Sequence, residues 1–462
     1  MGADGGADEG WSGMSSRSVR GRLAVLAVLA LLASGCAQQV PGLGRYSSGR
    51  VGVADAKVAI EGTDNGEIDK LAGNAIADIE KFWIEQMPDV FNERYDKVKG
   101  YYSIDPDGNR AAPCTDSASD IRGNAFYCPS RDVVAWDRKG LFPELQKRFG
   151  DFLVAMVLAH EWGHAIQKRT RMPSNKTIVV ETQADCYAGA WTQYALKGGA
   201  PHFEIERPVL DNALSGYLLF RDPLGADQDD RQAHGSGFDR ISGFQDGFEK
   251  GAKFCTTFSD DRTFTQIRYT TAMEEAQEGN LPFDEAWTHG TADLADYWKT
   301  SFLGTFNREW TPLAGVDQLS AGQEPTCAGT ESTAVKYCTD EDKIYASTDS
   351  LRRVYSETGD FGMMSLLAIA YGEAVRKRVG KTINGDSALL GSICLAGGYA
   401  RDSFDKRRAG ALVLSPGDLD EAVQTLLTFV GRQTGFFVAR STTGFDRVAA
   451  YRQGFNDSKA CR

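Results

Sequence analysis

The sequence has no polybasic stretch: 51 Lys and Arg stand against 63 Asp and Glu, a formal net charge of −12. Binding polyphosphate needs a concentrated positive surface, so a nucleic-acid partner is excluded. The hydrophobicity of a multi-span membrane protein is missing as well. Apolar residues make up 42% and charged residues 25%, an ordinary globular balance that also excludes wholesale disorder. Proline is modest (14) beside 50 glycines, which implies many turns, and histidine is scarce, with five. A chain of 462 residues is long enough for two or three domains at ~100–200 residues each.

Residues 1–36 read as a targeting segment. Arg17, Arg20 and Arg22 precede an eleven-residue Leu/Val/Ala run, Leu23 to Ala33, too short to span a bilayer at ~20 residues per helix. Ala33-Ser34-Gly35-Cys36 resembles a bacterial lipobox, so Cys36 is expected to carry lipid and to anchor the protein at the outer face of the cell membrane. Met14 as the start instead of Met1 would leave a compact basic region. Residues 37–55, rich in Gly, Ser and Gln, read as a tether. With Cys36 set apart, eight cysteines remain, an even number suited to disulfides in an oxidising compartment.

The chain also repeats itself. Phe91-Asn92, Tyr127-Cys128, Gly150-Asp151-Phe152, Cys186-Tyr187-Ala188-Gly189 and Gly237-Phe238-Asp239-Arg240 recur in order. Their counterparts are Phe306-Asn307, Tyr337-Cys338, Gly359-Asp360-Phe361, Cys394-Leu395-Ala396-Gly397 and Gly444-Phe445-Asp446-Arg447. Collinear matches imply a tandem duplication, 56–258 and 284–462, joined by a connector at 259–283. A duplicated unit favours the same two bonds in each copy: Cys114–Cys128 and Cys186–Cys255, then Cys327–Cys338 and Cys394–Cys461. The expected fold class is α+β and mainly helical. Val133 to Trp136 reads as a strand, Phe152 to Gln167 as a buried helix, and Val179 to Tyr194 as the helix after a turn. The strand with Trp136 is open to two readings, core packing or pairing with an extended substrate.

The motif that carries chemistry is His160-Glu161-Trp162-Gly163-His164. Histidines at i and i+4 share one helical face and can reach one metal. Glu161, one step round, can take a proton from a water that the metal polarises as that water attacks a carbonyl. Glu181 and Asp185 form a second i, i+4 pair. Glu181 is the expected third ligand and Asp185 the partner of a ligand imidazole's outer nitrogen; the reverse assignment stays open. His234, in a polar run, is either an oxyanion or substrate donor or a plain surface residue.

Tyr127-Cys128-Pro129, the His160 to His164 motif, Glu181 to Gly189, and His234-Gly235-Ser236 before Arg240 and Cys255 resemble the bacterial neutral zinc metallopeptidase family. The resemblance covers about 125–258 and implies a zincin fold with two zinc-binding helices, one Zn²⁺ per chain and a peptide or protein substrate. The second copy departs from that pattern. Ile369, Ala370 and Glu373 stand where His160, Glu161 and His164 would be, Leu389 and Ile393 replace Glu181 and Asp185, and Ser441 replaces His234. The leading expectation is therefore a zinc-dependent peptidase outside the cytoplasmic membrane with an inert second copy. Hydrolysis of a cell-wall peptide amide uses the same machinery, and a non-catalytic binding or scaffold lipoprotein is the alternative of a different class.

Overall fold

The computed structural model describes residues 48–170, 174–230, 233–323, 327, 334–430 and 441–462. Cys36, the basic run before it and most of the tether lie outside the described residues.

The first half opens with α1 (Glu67–Phe91), which ends at Asn92 in the left-handed conformation (φ 57°). Three short strands follow, β1 (Gly100–Ile104), β2 (Ala125–Cys128) and β3 (Val133–Asp137), then α2 (Leu141–Phe149) and α3 (Asp151–Thr170). Gly150, at φ 86°, lets α2 stop and α3 start without a gap. The half is completed by α4 (Thr177–Leu196), α5 (Arg207–Tyr217) and α6 (Gly237–Lys250).

The second half runs through the same kinds of element in the same order. They are α7 (Phe283–Phe306), β4 (Gly315–Leu319), β5 (Val335–Cys338), β6 (Lys343–Ser347), α8 (Thr348–Thr358), α9 (Asp360–Arg378), α10 (Asp386–Phe404), α11 (Asp418–Thr428) and α12 (Gly444–Asn456). Asn307 (φ 53°) ends α7 as Asn92 ends α1, and Gly359 (φ 103°) separates α8 from α9. The sheets match in topology: β3 lies between parallel β1 and antiparallel β2, and β6 between parallel β4 and antiparallel β5. Each sheet has the same internal lock. Tyr127 donates to Asp132 and Tyr337 to Asp342, both at 2.7 Å, and Arg169 and Arg378 reach the same two carboxylates.

The cysteines are joined as Cys114–Cys128, Cys186–Cys255, Cys327–Cys338 and Cys394–Cys461. Among the described residues, no helix is long and apolar enough to cross a membrane. One expectation needs correction. The strand carrying Trp136 is the central strand of its sheet, with both edges occupied, so it has no free edge for a substrate. Trp136 is instead core, stacked on Phe142 and donating to Asp69. The edge strand beside the site described next is β2.

Candidate metal centre

Helix α3 is buried nearly all round, as its apolar run Phe152 to Ala159 requires. Its polar residues therefore need partners inside the protein. His160 and His164 project from one face, and their Nε2 atoms lie 3.2 Å apart. The antiparallel α4 brings Glu181 to both: Oε2 is 3.2 Å from His160 Nε2, and Oε1 is 3.5 Å from His164 Nε2. Gly163 makes this approach possible, because a Cβ there would stand 2.6 Å from the Ala184 Cα.

The nitrogens facing away from this cluster are also held. His160 Nδ1 meets Asp185 Oδ1 at 2.8 Å. His164 Nδ1 meets Gln167 Oε1 at 2.9 Å, and Gln167 in turn donates to the Val180 carbonyl at 2.6 Å. These acceptors place the proton of each neutral imidazole on Nδ1 and leave the Nε2 lone pairs directed at Glu181. Asp185 is itself bound by Arg240, at 2.8 Å and 3.0 Å, and by the Tyr217 hydroxyl. Its side chain is fully buried, whereas Glu181 keeps 12% exposure. The geometry thus sets Glu181 among the converging donors and Asp185 behind them.

Glu161 leaves the cluster and accepts the Tyr127 backbone N–H of β2 at 2.8 Å. Burial pushes its carboxyl above the usual range, against the pull of His160, His164 and that N–H. Burial also opposes ionisation of Asp185, but Arg240 and His160 outweigh it and bring the carboxyl down to about 2. Two imidazole nitrogens and one carboxylate oxygen, all within 4.8 Å of one another, suit zinc. Three protein ligands is the number that catalytic zinc sites carry.

The structure ties His234 elsewhere. Its backbone N–H and Nδ1 both meet Asp222, at 2.8 Å and 3.1 Å, and not the donor cluster. Its neighbour Gly235 packs near Ile178 at the start of α4. Tyr217, Arg240 and Gln167 escaped the sequence reading as site residues. Arg240 had a signal: it stands in the segment after His234 that carries the resemblance, and it recurs as Arg447. In the second half, Arg447 donates to the Leu426 and Thr442 carbonyls, since Ile393 offers no carboxylate. Ile369, Ala370, Leu389 and Ile393 are buried. Glu373 reaches the Tyr337 N–H, the counterpart of the Tyr127 group that Glu161 binds.

An HExxH helix backed by a second helix with a glutamate donor is an arrangement suited to holding one zinc ion. The chain belongs to the family described as putative neutral zinc metallopeptidase, whose profile matches residues 1–258. Among curated relatives, the uncharacterised protein Rv2575 of Mycobacterium tuberculosis is 29% identical over 182 residues, covering 33% of this chain and 60% of its own length. The uncharacterised protein YpfJ of Escherichia coli is 30% identical over 158 residues, covering 29% of this chain and 53% of its own. The chain therefore spans somewhat more than half the length of these relatives. No solved structure matches it.

Proposed function

We propose that the chain is a zinc-dependent peptidase of the extracytoplasmic face, tethered through lipid on Cys36, with catalysis confined to the first of two duplicated units. The observation that carries the reading is the convergence of His160, His164 and Glu181, with Glu161 held beside them. Zinc held by these three residues would polarise a scissile carbonyl and acidify a water.

The chain's own residues do the rest. Glu161, oriented by β2, takes a proton from the attacking water and returns it to the leaving amine. Asp185 and Gln167 fix the imidazole tautomers, and Arg240 with Tyr217 keeps Asp185 anionic and in place. An extended peptide would lie along β2, the strand edge nearest Glu161. His234, held by Asp222, is read as the oxyanion or substrate donor. In the second unit, Ile369 and Ile393 fill the space of a ligand and its supporting acid, so that unit serves structure or binding.

Zinc content and cleavage of an unstructured protein test this together. Glu161→Gln should keep one zinc per chain and lose most turnover, because the base is gone while the ligands remain. Undiminished cleavage in that variant would overturn the mechanism. His160→Ala should lose zinc and activity alike, and a chelator should silence the wild type reversibly.

A further inference from the structure

Three carboxylates meet in the second half, away from the candidate metal centre. Asp360 opens α9, Asp418 opens α11, and Glu421 lies one turn further along α11. One oxygen of each lies within 4.8 Å of the others, and Asp360 and Asp418 are buried, at 7% and 4% exposure. Each carboxylate turns one oxygen to backbone. Asp360 Oδ2 accepts from Leu281 at 2.8 Å, and Asp418 Oδ2 from Ser415 at 2.8 Å. Glu421 Oε2 accepts from Phe361 and Gly362, at 2.9 Å and 3.3 Å.

The second oxygen of Asp418 has no such outlet. Oδ1 is buried and has no hydrogen-bond partner among the described residues. Asp360 and Asp418 also line a cavity of about 170 Å³, together with Leu281, Met364 and Ser415, which is room for several waters. The basic group that acts on Glu421, Arg221, is taken by Asp420 at 2.7 Å. Three carboxylates brought together in a low-dielectric interior stay ionised together only if a cation sits among them; otherwise burial and mutual repulsion make them hold protons.

We propose that Asp360, Asp418 and Glu421 form a structural site for a hard divalent cation of the calcium class. The donors are all oxygen, which suits calcium and not zinc. Oxygens bound to one calcium at ~2.3–2.6 Å lie no more than ~5 Å apart, as these do. Calcium's 6–8 ligands would be completed by second carboxylate oxygens and by waters in the cavity. The ion would join the starts of α9 and α11 to the segment at Asn280 and Leu281, whose side-chain oxygen and N–H already bind Asp360. The first half lacks the set. At the matching positions stand Asp151, Val209 and Asn212, and Asn212 donates to the Phe149 carbonyl at 2.7 Å.

The test is equilibrium dialysis of the full chain against calcium chloride, with bound metals counted by mass spectrometry. The wild type should hold one calcium per chain, and His160→Ala should keep it while losing zinc. Asp418→Asn and Glu421→Gln should lose it. At calcium ~100-fold above its Kd, the thermal midpoint should rise by roughly 5 °C in the wild type and not in either variant. A wild type that binds no calcium at millimolar concentration overturns the proposal, as does calcium that survives both substitutions or leaves with His160→Ala. Wild-type stoichiometry decides alone if the variants do not fold.

Discussion

Two oxygens of Asp185 serve an imidazole, a guanidinium and a phenol at once. The carboxylate is not itself among the converging donors, yet through Nδ1 it fixes which nitrogen of His160 can bind metal. Asp185→Asn should weaken zinc binding by roughly 10–100-fold, read by competition with a chromophoric chelator. Unchanged affinity alongside a lowered unfolding midpoint would reduce Asp185 to a structural partner of Arg240. Glu373, at the position matching His164, makes a different case. Burial pushes its carboxyl from 4.5 up to about 7, against the Tyr337 N–H. The folded state thus holds this proton more tightly than the unfolded state. That contribution is full below pH ~4.5 and is lost as pH rises through about 7. Glu373→Gln keeps an acceptor for Tyr337 and removes the charge. It should match the wild type at pH 4 and exceed it at pH 8.5 by something on the order of 3 kcal/mol. Urea midpoints at the two pH values check this.

At the scale of elements, glycines set the helix spacing. A Cβ at Gly189 or Gly247 would overlap a backbone carbonyl oxygen of the facing helix, and Gly397 and Gly454 stand in the same relation between α10 and α12. Gly163 and Gly372 do the same for α3 on α4 and α9 on α10. Gly163→Ala should therefore cost roughly 1–3 kcal/mol by overpacking and weaken zinc binding, since α3 and α4 carry opposite sides of the donor set. Gly304, inside α7, faces open space: a methyl group added there would meet nothing within 4 Å. Gly304→Ala should stabilise by about 0.5–1 kcal/mol through helix propensity. Denaturation of the two variants in parallel separates crowding from propensity.

For the whole molecule, the halves are not independent. Phe238 and Ile241 of α6 pack into the core of the second half, and Phe445 of α12 packs into the core of the first. The helix starts are exchanged as well. Asp420 of α11 accepts from Phe238 at the start of α6, and Asp211 of α5 accepts from Phe445 at the start of α12, at 2.7 Å and 2.8 Å. Since α6 carries Arg240, the second half helps to position the support of the metal site without contributing a ligand. A fragment ending at residue 258 should expose Phe238 and Ile241, bind a hydrophobic dye and lose cooperative unfolding. A soluble fragment with a sharp transition and full zinc affinity would show that the second half is dispensable.

Spacing along the chain determined what is local. The i, i+4 pairs at His160/His164 and Glu181/Asp185 share faces on any helix, and the recurring Asn and Gly residues mark the same helix ends in both halves, so the paired side chains, the main helices and the cysteine pairs were legible in advance, whereas the short strands β1 and β2 were not. Packing decided what depends on helices distant in sequence. It brought Tyr217 and Arg240 to Asp185, put the Tyr127 N–H on Glu161, made the Trp136 strand central and tied His234 to Asp222. The exchange of Phe238, Ile241 and Phe445 between cores belongs there too. Helical periodicity says which residues share a face; which face meets which is settled only when apolar surfaces and close glycine contacts are satisfied together.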